Sequence, residues 1–133
     1  MKTYELGEQG SVEDLRLVER PNPVPGPSEA LVRYHANSLN YRDLMIVNGE
    51  YGLAKRPERI PVSAGAGEVI AVGEGVTGIA PGDRVMVSFF MGWLDGEFRR
   101  NYFGTDLGGG CDGTLTELGV VPASSVVVLP PTG

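Results

Sequence analysis

The chain has 133 residues, 41% of them hydrophobic, which suits one domain able to bury a core without disulfide or metal staples. Its 17 acidic residues outnumber its 11 Lys and Arg, giving a formal net charge of -6 that disfavours a nucleic-acid or anionic-membrane partner, since those need clustered cations to neutralise phosphates. The 20 Gly and 10 Pro punctuate short apolar runs and point to a β-rich fold with many turns.

The opening MKTYELGEQG lacks the apolar stretch of a signal peptide, and no segment reaches bilayer-spanning length, so a cytoplasmic protein is expected. Residues 2–6 and 14–19 read as a strand pair joined by a polar turn over 7–11. The following PNPVPGPSE carries four prolines and is expected to be an extended connector with few regular backbone hydrogen bonds. Residues 30–38 alternate as a long strand, with Leu31, Arg33 and His35 on one face and Val32, Tyr34 and Ala36 on the other.

Residues 40–47 change period. Leu39, Met45 and Ile46 can share a helical face, Asn40 is a suitable N-cap, Asp43 lies in the first turn, and Asn48-Gly49 is a natural stop. A charged loop carrying Tyr51 follows over 50–60. Two strands are expected at 68–72 and 83–87, with a run of turns between them built on Gly73, Gly75, Gly78 and Pro81-Gly82. Residues 91–113 form a long irregular loop with Trp93, Phe98, Tyr102 and Phe103, of the kind more often functional than idle. Two closing strands at 114–121 and 126–129 flank a turn, and the terminal Pro130-Pro131-Thr132-Gly133 has the composition of a domain boundary. The total is six to eight strands and one or two short helices, in a curved sheet or small barrel.

Two stretches match GxGxxG: Gly73-Glu74-Gly75-Val76-Thr77-Gly78 and Gly108-Gly109-Gly110-Cys111-Asp112-Gly113. A dinucleotide fingerprint needs a strand before the glycines and a helix N-terminus after them. Pro81-Gly82 stops any helix after the first match, and the second has neither neighbour, so both are read as structural turns. The chain has one histidine, His35, and one cysteine, Cys111, and no residues at metal-ligand spacing. Both are read as structural, and no Ser/His/Asp triad is nominated around His35.

In combination, HANSLNYRDLMIVNGEY, the spaced run Gly67-x5-Gly73-x2-Val76, PGDRV and the closing GGGCDGTLTELGVVPASSVVVLP resemble the N-terminal GroES-like domain of medium-chain dehydrogenases and reductases, the alcohol dehydrogenase and quinone oxidoreductase superfamily. The resemblance covers nearly the whole chain and is greatest to the zinc-independent members. It implies a mainly β fold, a GroES-like partly open β-barrel with one or two short helices, spanning residues 1–133. It also implies that NAD(P)H is held mainly by a Rossmann domain, which the family adds after this point and which the chain lacks.

Departures from the zinc-enzyme pattern are specific. The family's Gly-His-Glu falls on Val62, Ser63 and Ala64, the catalytic cysteine ligand falls on Asn40, and the four-cysteine lobe has no counterpart over 93–110. The resemblance therefore implies hydride transfer without a metal, in which hydrogen-bond donors stabilise the oxygen that gains negative charge. Asn40 and Tyr41 are candidate catalytic and cofactor-contacting residues, because the resemblance sets that end of the helix beside the nicotinamide. Tyr51, in Gly49-Glu50-Tyr51-Gly52, occupies the place of a proposed proton-donor tyrosine in 2-enoyl thioester reductases. Asp43 is read as a helix-start charge, and Arg42 as a contact to a carboxylate or to solvent.

The expected function is thus the substrate-side domain of a zinc-independent NAD(P)H-dependent oxidoreductase acting on a carbonyl, enone or quinone. The full-length enzyme is expected to be a homo-oligomer, and the isolated chain inactive. The alternatives are a stand-alone GroES-like assembly module, and a β-barrel binding domain for a small apolar ligand.

Overall fold

Valine-rich segments in the middle of the chain build the main sheet of this computed structural model, which describes residues 1–51 and 55–131. In chain order the regular elements are β1 (Lys2–Glu5), β2 (Arg16–Glu19), β3 (Glu29–Ser38), helix α1 (Tyr41–Val47), β4 (Ala64–Val72), β5 (Arg84–Val87), β6 (Leu118–Pro122) and β7 (Val126–Val128). Short 3-10 turns occupy Val12–Asp14, Arg100–Tyr102 and Ala123–Ser125. The expectations for Gly52, and for Thr132 and Gly133 at the terminal boundary, lie outside the described residues.

β1 and β2 form a separate antiparallel ribbon, and the other strands form an antiparallel sheet in the order β6-β3-β4-β5-β7. The two edge strands of that sheet, β6 and β7, are consecutive in the chain and joined by three residues, Ala123–Ser125. In a flat sheet, four strand spacings of ~4.8 Å would separate the edges by ~19 Å. The four peptide steps from Pro122 to Val126 reach at most ~14 Å, and less through a 3-10 turn. The sheet must therefore curl until its edges approach. Register shifts in the β3–β4 ladder, at Leu31/Val32 and at Tyr34/Ala36, supply local bending. β6 and β7 are not paired with each other, so the barrel stays partly open.

The concave side is filled by Val32, Val69, Val85, Val87, Leu107 and Val121, with Tyr34, Val72, Ile79, Met91 and Val126 packed around them. Each fully buried valine contributes ~1.5 kcal/mol or more by leaving water. A second cluster of Leu6, Ile46 and Val47, backed by Leu15, seats α1 against the N-terminal segment.

Four sequence expectations shift. β4 begins at Ala64, four residues before the β-branched run, because the AGAG stretch is strand for a reason other than propensity: a Cβ at Gly67 would lie 1.9 Å from the Arg33 carbonyl of the paired strand. β6 begins at Leu118. The preceding residues instead bond the N-terminal ribbon, with Tyr4 N–H donating to Leu115 O at 3.1 Å and Glu117 N–H to Lys2 O at 3.0 Å. In α1 the buried face is Asp43, Ile46 and Val47, whereas Leu39 precedes the helix and is exposed. On β3 the expected alternation holds for Val32 and Tyr34 inward and Arg33 and His35 outward, but Leu31, on the other face from Val32, is buried as well.

Neither GxGxxG stretch opens a helix. Gly75 and Gly78 have φ of 82° and 84° in turns with open space around them.

Tyr34 packs on the valine core, and burial pushes its phenol above the ordinary value of 10.0. Near and above that value an unfolded tyrosine loses its proton while folded Tyr34 keeps it. The unfolded state then binds fewer protons, and stability falls as pH rises. Urea denaturation across the alkaline range should show a loss of stability above about pH 10 that Tyr34→Phe reduces; an identical slope in the variant would contradict the burial of this phenol.

Candidate functional site

At the end of β3 the chain stays extended through Asn40, whose φ of -121° and ψ of 156° suit a helix N-cap. The Asn40 carbonyl accepts the Asp43 N–H at 3.0 Å, and the Asp43 carboxylate accepts the Asn40 N–H at 2.9 Å. Asp43 is therefore a helix-start charge, as expected, and it fixes the backbone that carries Asn40.

Asn40 borders a cavity of about 440 Å³ whose walls are mostly small or apolar, among them Ala64, Gly65, Ala66, Met86 and Phe89. Ser63 borders the same cavity. The fold thus brings to one cavity Asn40 and Ser63, the residues onto which the resemblance places the cysteine and histidine of zinc enzymes. The polar side chains around this cavity, Asn37, Ser38, Asn40, Ser63 and Ser88, are amides and hydroxyls. None is a thiol, imidazole or carboxylate, so the donor set does not fit a zinc ion. Among the described residues no group of three or more His, Cys, Asp and Glu could hold a metal.

A second cavity, of about 390 Å³, is lined by Tyr51, Arg42, Ile46, Phe89 and Phe103, among others. Phe89 belongs to both walls. Arg42 organises this second space. Its Nη1 donates to Leu107 O at 2.9 Å, its Nη2 pairs with the Asp106 carboxylate, and its guanidinium lies 5.0 Å from the Tyr51 ring centroid and 4.5 Å from that of Phe89. Asp106 in turn accepts the Gly104 N–H at 3.1 Å and the Gly110 N–H at 3.2 Å. Of the two contacts open to Arg42, the carboxylate is the one made.

The candidates are therefore divided. Asn40 and Tyr51 border adjoining cavities, while Tyr41, at the first position of α1, is 75% exposed and lines neither. His35 is exposed on β3, with Nε2 3.7 Å from Glu68. Cys111 donates its thiol proton to Gly104 O at 3.1 Å; burial pushes the thiol up, aided by Asp106 and Asp112 and opposed by Arg59, which suits an inert side chain.

Sequence reasoning did not pick out Asp106, Phe89 or Ser63 as site residues. Asp106 lies 64 residues from Arg42 and carries no local signal. Phe89 read as the end of a strand. Ser63 was visible only as a departure from the zinc pattern.

The aromatic loop is compact. Phe90, Trp93, Phe98, Tyr102 and Phe103 pack mostly edge to face with centroid separations from 5.0 to 6.3 Å, Trp93 and Tyr102 alone being stacked among these pairs. A charged cleft of about 860 Å³ lies on the other side of Arg56 and Arg59. Of the cations that line it, Arg16 and Arg20 pair with Glu5 at 3.4 and 2.8 Å, and Arg59 with Asp112 at 3.3 Å.

Residues 26–131 match the family of the alcohol dehydrogenase GroES-like domain. A zinc-type alcohol dehydrogenase-like protein of Schizosaccharomyces pombe is 42% identical over 104 residues, covering 78% of this chain and 30% of the relative. The cobalt- and zinc-bound thermostable alcohol dehydrogenase of Pyrobaculum aerophilum superposes with a TM-score of 0.83 at 29% identity, over 99% of this chain and 42% of that one. A quinone oxidoreductase of Pseudomonas syringae superposes with a TM-score of 0.73 at 29% identity, over 99% of this chain and 34% of that one. The chain spans less than half of the length of each of these proteins. By sequence match and by fold, the chain belongs to the alcohol dehydrogenase GroES-like domain family of the medium-chain dehydrogenases and reductases.

Proposed function

We propose that this chain is the substrate-side domain of a zinc-independent NAD(P)H-dependent oxidoreductase that reduces a carbonyl, enone or quinone. The observation that carries the reading is the pair of cavities sharing Phe89, one bordered by Asn40 and Ser63 and the other by Tyr51 and Arg42. Family membership supports the redox class, and the amide and hydroxyl donors around Asn40 support chemistry without zinc.

The cofactor, when bound by a companion Rossmann domain, supplies the hydride. The chain's own residues orient the acceptor and handle its charge. The Asn40 side-chain amide donates a hydrogen bond to the acceptor oxygen as negative charge develops there. Tyr51 delivers the proton, and the Arg42 guanidinium over its ring holds the phenol in place. Tyr41, exposed at the helix start, is assigned to the cofactor side, together with Asn40. Without the companion domain the chain is expected to be inactive. The complete enzyme is expected to be cytoplasmic and homo-oligomeric; among the described residues no helix is long and apolar enough to cross a membrane.

In the enzyme carrying this domain together with its cofactor domain, NAD(P)H oxidation should proceed with small enones, aldehydes or quinones and should survive a metal chelator. Tyr51→Phe should lower kcat by ~100-fold or more if the phenol is the proton donor. Unchanged turnover in that variant would remove Tyr51 from the chemistry, and loss of turnover on chelation would overturn the zinc-independent reading.

A further inference from the structure

The charged cleft beside the Tyr51 cavity is opposite in sign to the chain as a whole. Five of the 11 Lys and Arg line it, namely Arg16, Arg20, Lys55, Arg56 and Arg59, against three acids, Glu5, Glu58 and Asp112. Five against three leaves a surplus of two positive charges, in a protein whose formal net charge is -6. The acids hold only part of the set: Glu5 pairs with Arg16 and Arg20, and Asp112 with Arg20 and Arg59. Among the described residues, Lys55 and Arg56 pair with no carboxylate, and both are exposed. Like charges gathered in a cleft repel one another and raise the local concentration of anions.

The backbone that carries the basic wall is fixed by the N-terminal segment. The Gly7 N–H donates to Pro57 O at 2.9 Å and the Leu6 N–H to Arg59 O at 3.0 Å, while the Arg59 N–H closes a turn onto Arg56 O at 3.0 Å. The Arg56 N–H donates to Gln9 Oε1 at 2.6 Å, and Gln9 Nε2 donates to Ile46 O at 3.1 Å. A buried side chain thus ties Arg56 to the last turn of α1. Gln9 does so with a φ of 56°, uncommon outside glycine. A wall held in this way needs little ordering when a ligand arrives. Arg56 and Arg59 also line the Tyr51 cavity, so they stand between the two spaces.

Resting on the reading of this chain as a substrate-side domain, we infer that the cleft is an anion subsite that takes a phosphate-bearing tail of the substrate, with Arg56 as a specificity-determining residue. The spaces follow one another in order. The Asn40 cavity meets the Tyr51 cavity at Phe89, and the Tyr51 cavity meets the cleft at Arg56 and Arg59. A substrate long enough to run past Tyr51 therefore reaches the cations. A phosphate monoester carries nearly two negative charges, which matches the surplus, and the planar fork of arginine binds phosphate oxygens in pairs. At about 860 Å³ the cleft has room for the group that carries the phosphate as well.

Calorimetry of the chain with inorganic pyrophosphate tests the site, and steady-state kinetics of the two-domain enzyme test its use. Pyrophosphate should bind at a single site, less tightly as salt rises. Arg56→Gln should weaken that binding about tenfold, the effect of losing one charge-assisted hydrogen bond, whereas Glu58→Gln, which removes a repelling charge, should tighten it. In the two-domain enzyme 5-oxopentyl phosphate should be preferred to pentanal in kcat/KM, and Arg56→Gln should cut that preference about tenfold. No binding, equal binding by the wild type and Arg56→Gln, weaker binding by Glu58→Gln, or no preference for the phosphorylated aldehyde would each overturn the inference. So would a raised KM for NAD(P)H in Arg56→Gln with the preference intact, which would give the cleft to the cofactor. Failure of the broader reading looks different: no NAD(P)H turnover with either aldehyde while pyrophosphate still binds.

Discussion

The ion pair between Arg42 and Asp106 ties together the parts from which the candidate site is made. Arg42 belongs to α1, Asp106 to the long aromatic loop, and the side chains are 13% and 11% exposed. A buried pair of this kind is weak evidence of net stability, because both charges have left water. Its consequence here is geometric. The planar guanidinium spends one edge on the carboxylate and on Leu107 O, and its face on Phe89 and Tyr51, so a helix, a strand end and two loops take their positions from one group. Asp106 repeats the pattern by accepting the Gly104 and Gly110 N–H groups, which folds the glycine-rich turn around it.

The curled sheet sets the other boundary of the site. Its antiparallel ladders, Ser38 opposite Ala64 and Ala66 opposite Met86, set the end of β3 beside the start of β4 and the end of β5. This juxtaposition makes Asn40, Ser63 and Phe89 neighbours. Close packing at this end has local costs. Val62 adopts a left-handed conformation suited to glycine, with a φ of 78°. Asn40 and Ser63 border one cavity here.

Much of the fold was legible in the residues. The β-branched runs at 68–72 and 126–128, the Asn40 cap with Asp43 in the first turn, and the turn chemistry of Gly75, Gly78 and Gly82 all report local preferences, and the structure agrees with them. The AGAG start of β4 was not legible, because its small residues answer to the Arg33 backbone and the Thr114 side chain opposite. Nor was the false start of β6, where Leu115 and Glu117 bond the N-terminal ribbon and only the Glu117 carbonyl reaches the β3 backbone, at the Tyr34 N–H. At the site, Asn40 and Tyr51 stood out by resemblance, and both border cavities. Asp106 could not be found, since its partner lies far along the chain, and Ser63 stood out only as a departure from the zinc pattern.

The central claim is that Arg42 and Asp106 act as one unit in joining α1 to the aromatic loop. A double-mutant cycle with Arg42→Gln and Asp106→Asn, followed by urea denaturation of the chain, measures this most directly. The account predicts strong non-additivity, with a coupling of about 1.5 kcal/mol or more. Effects that add to within ~0.5 kcal/mol would contradict it and leave helix and loop as independently placed parts.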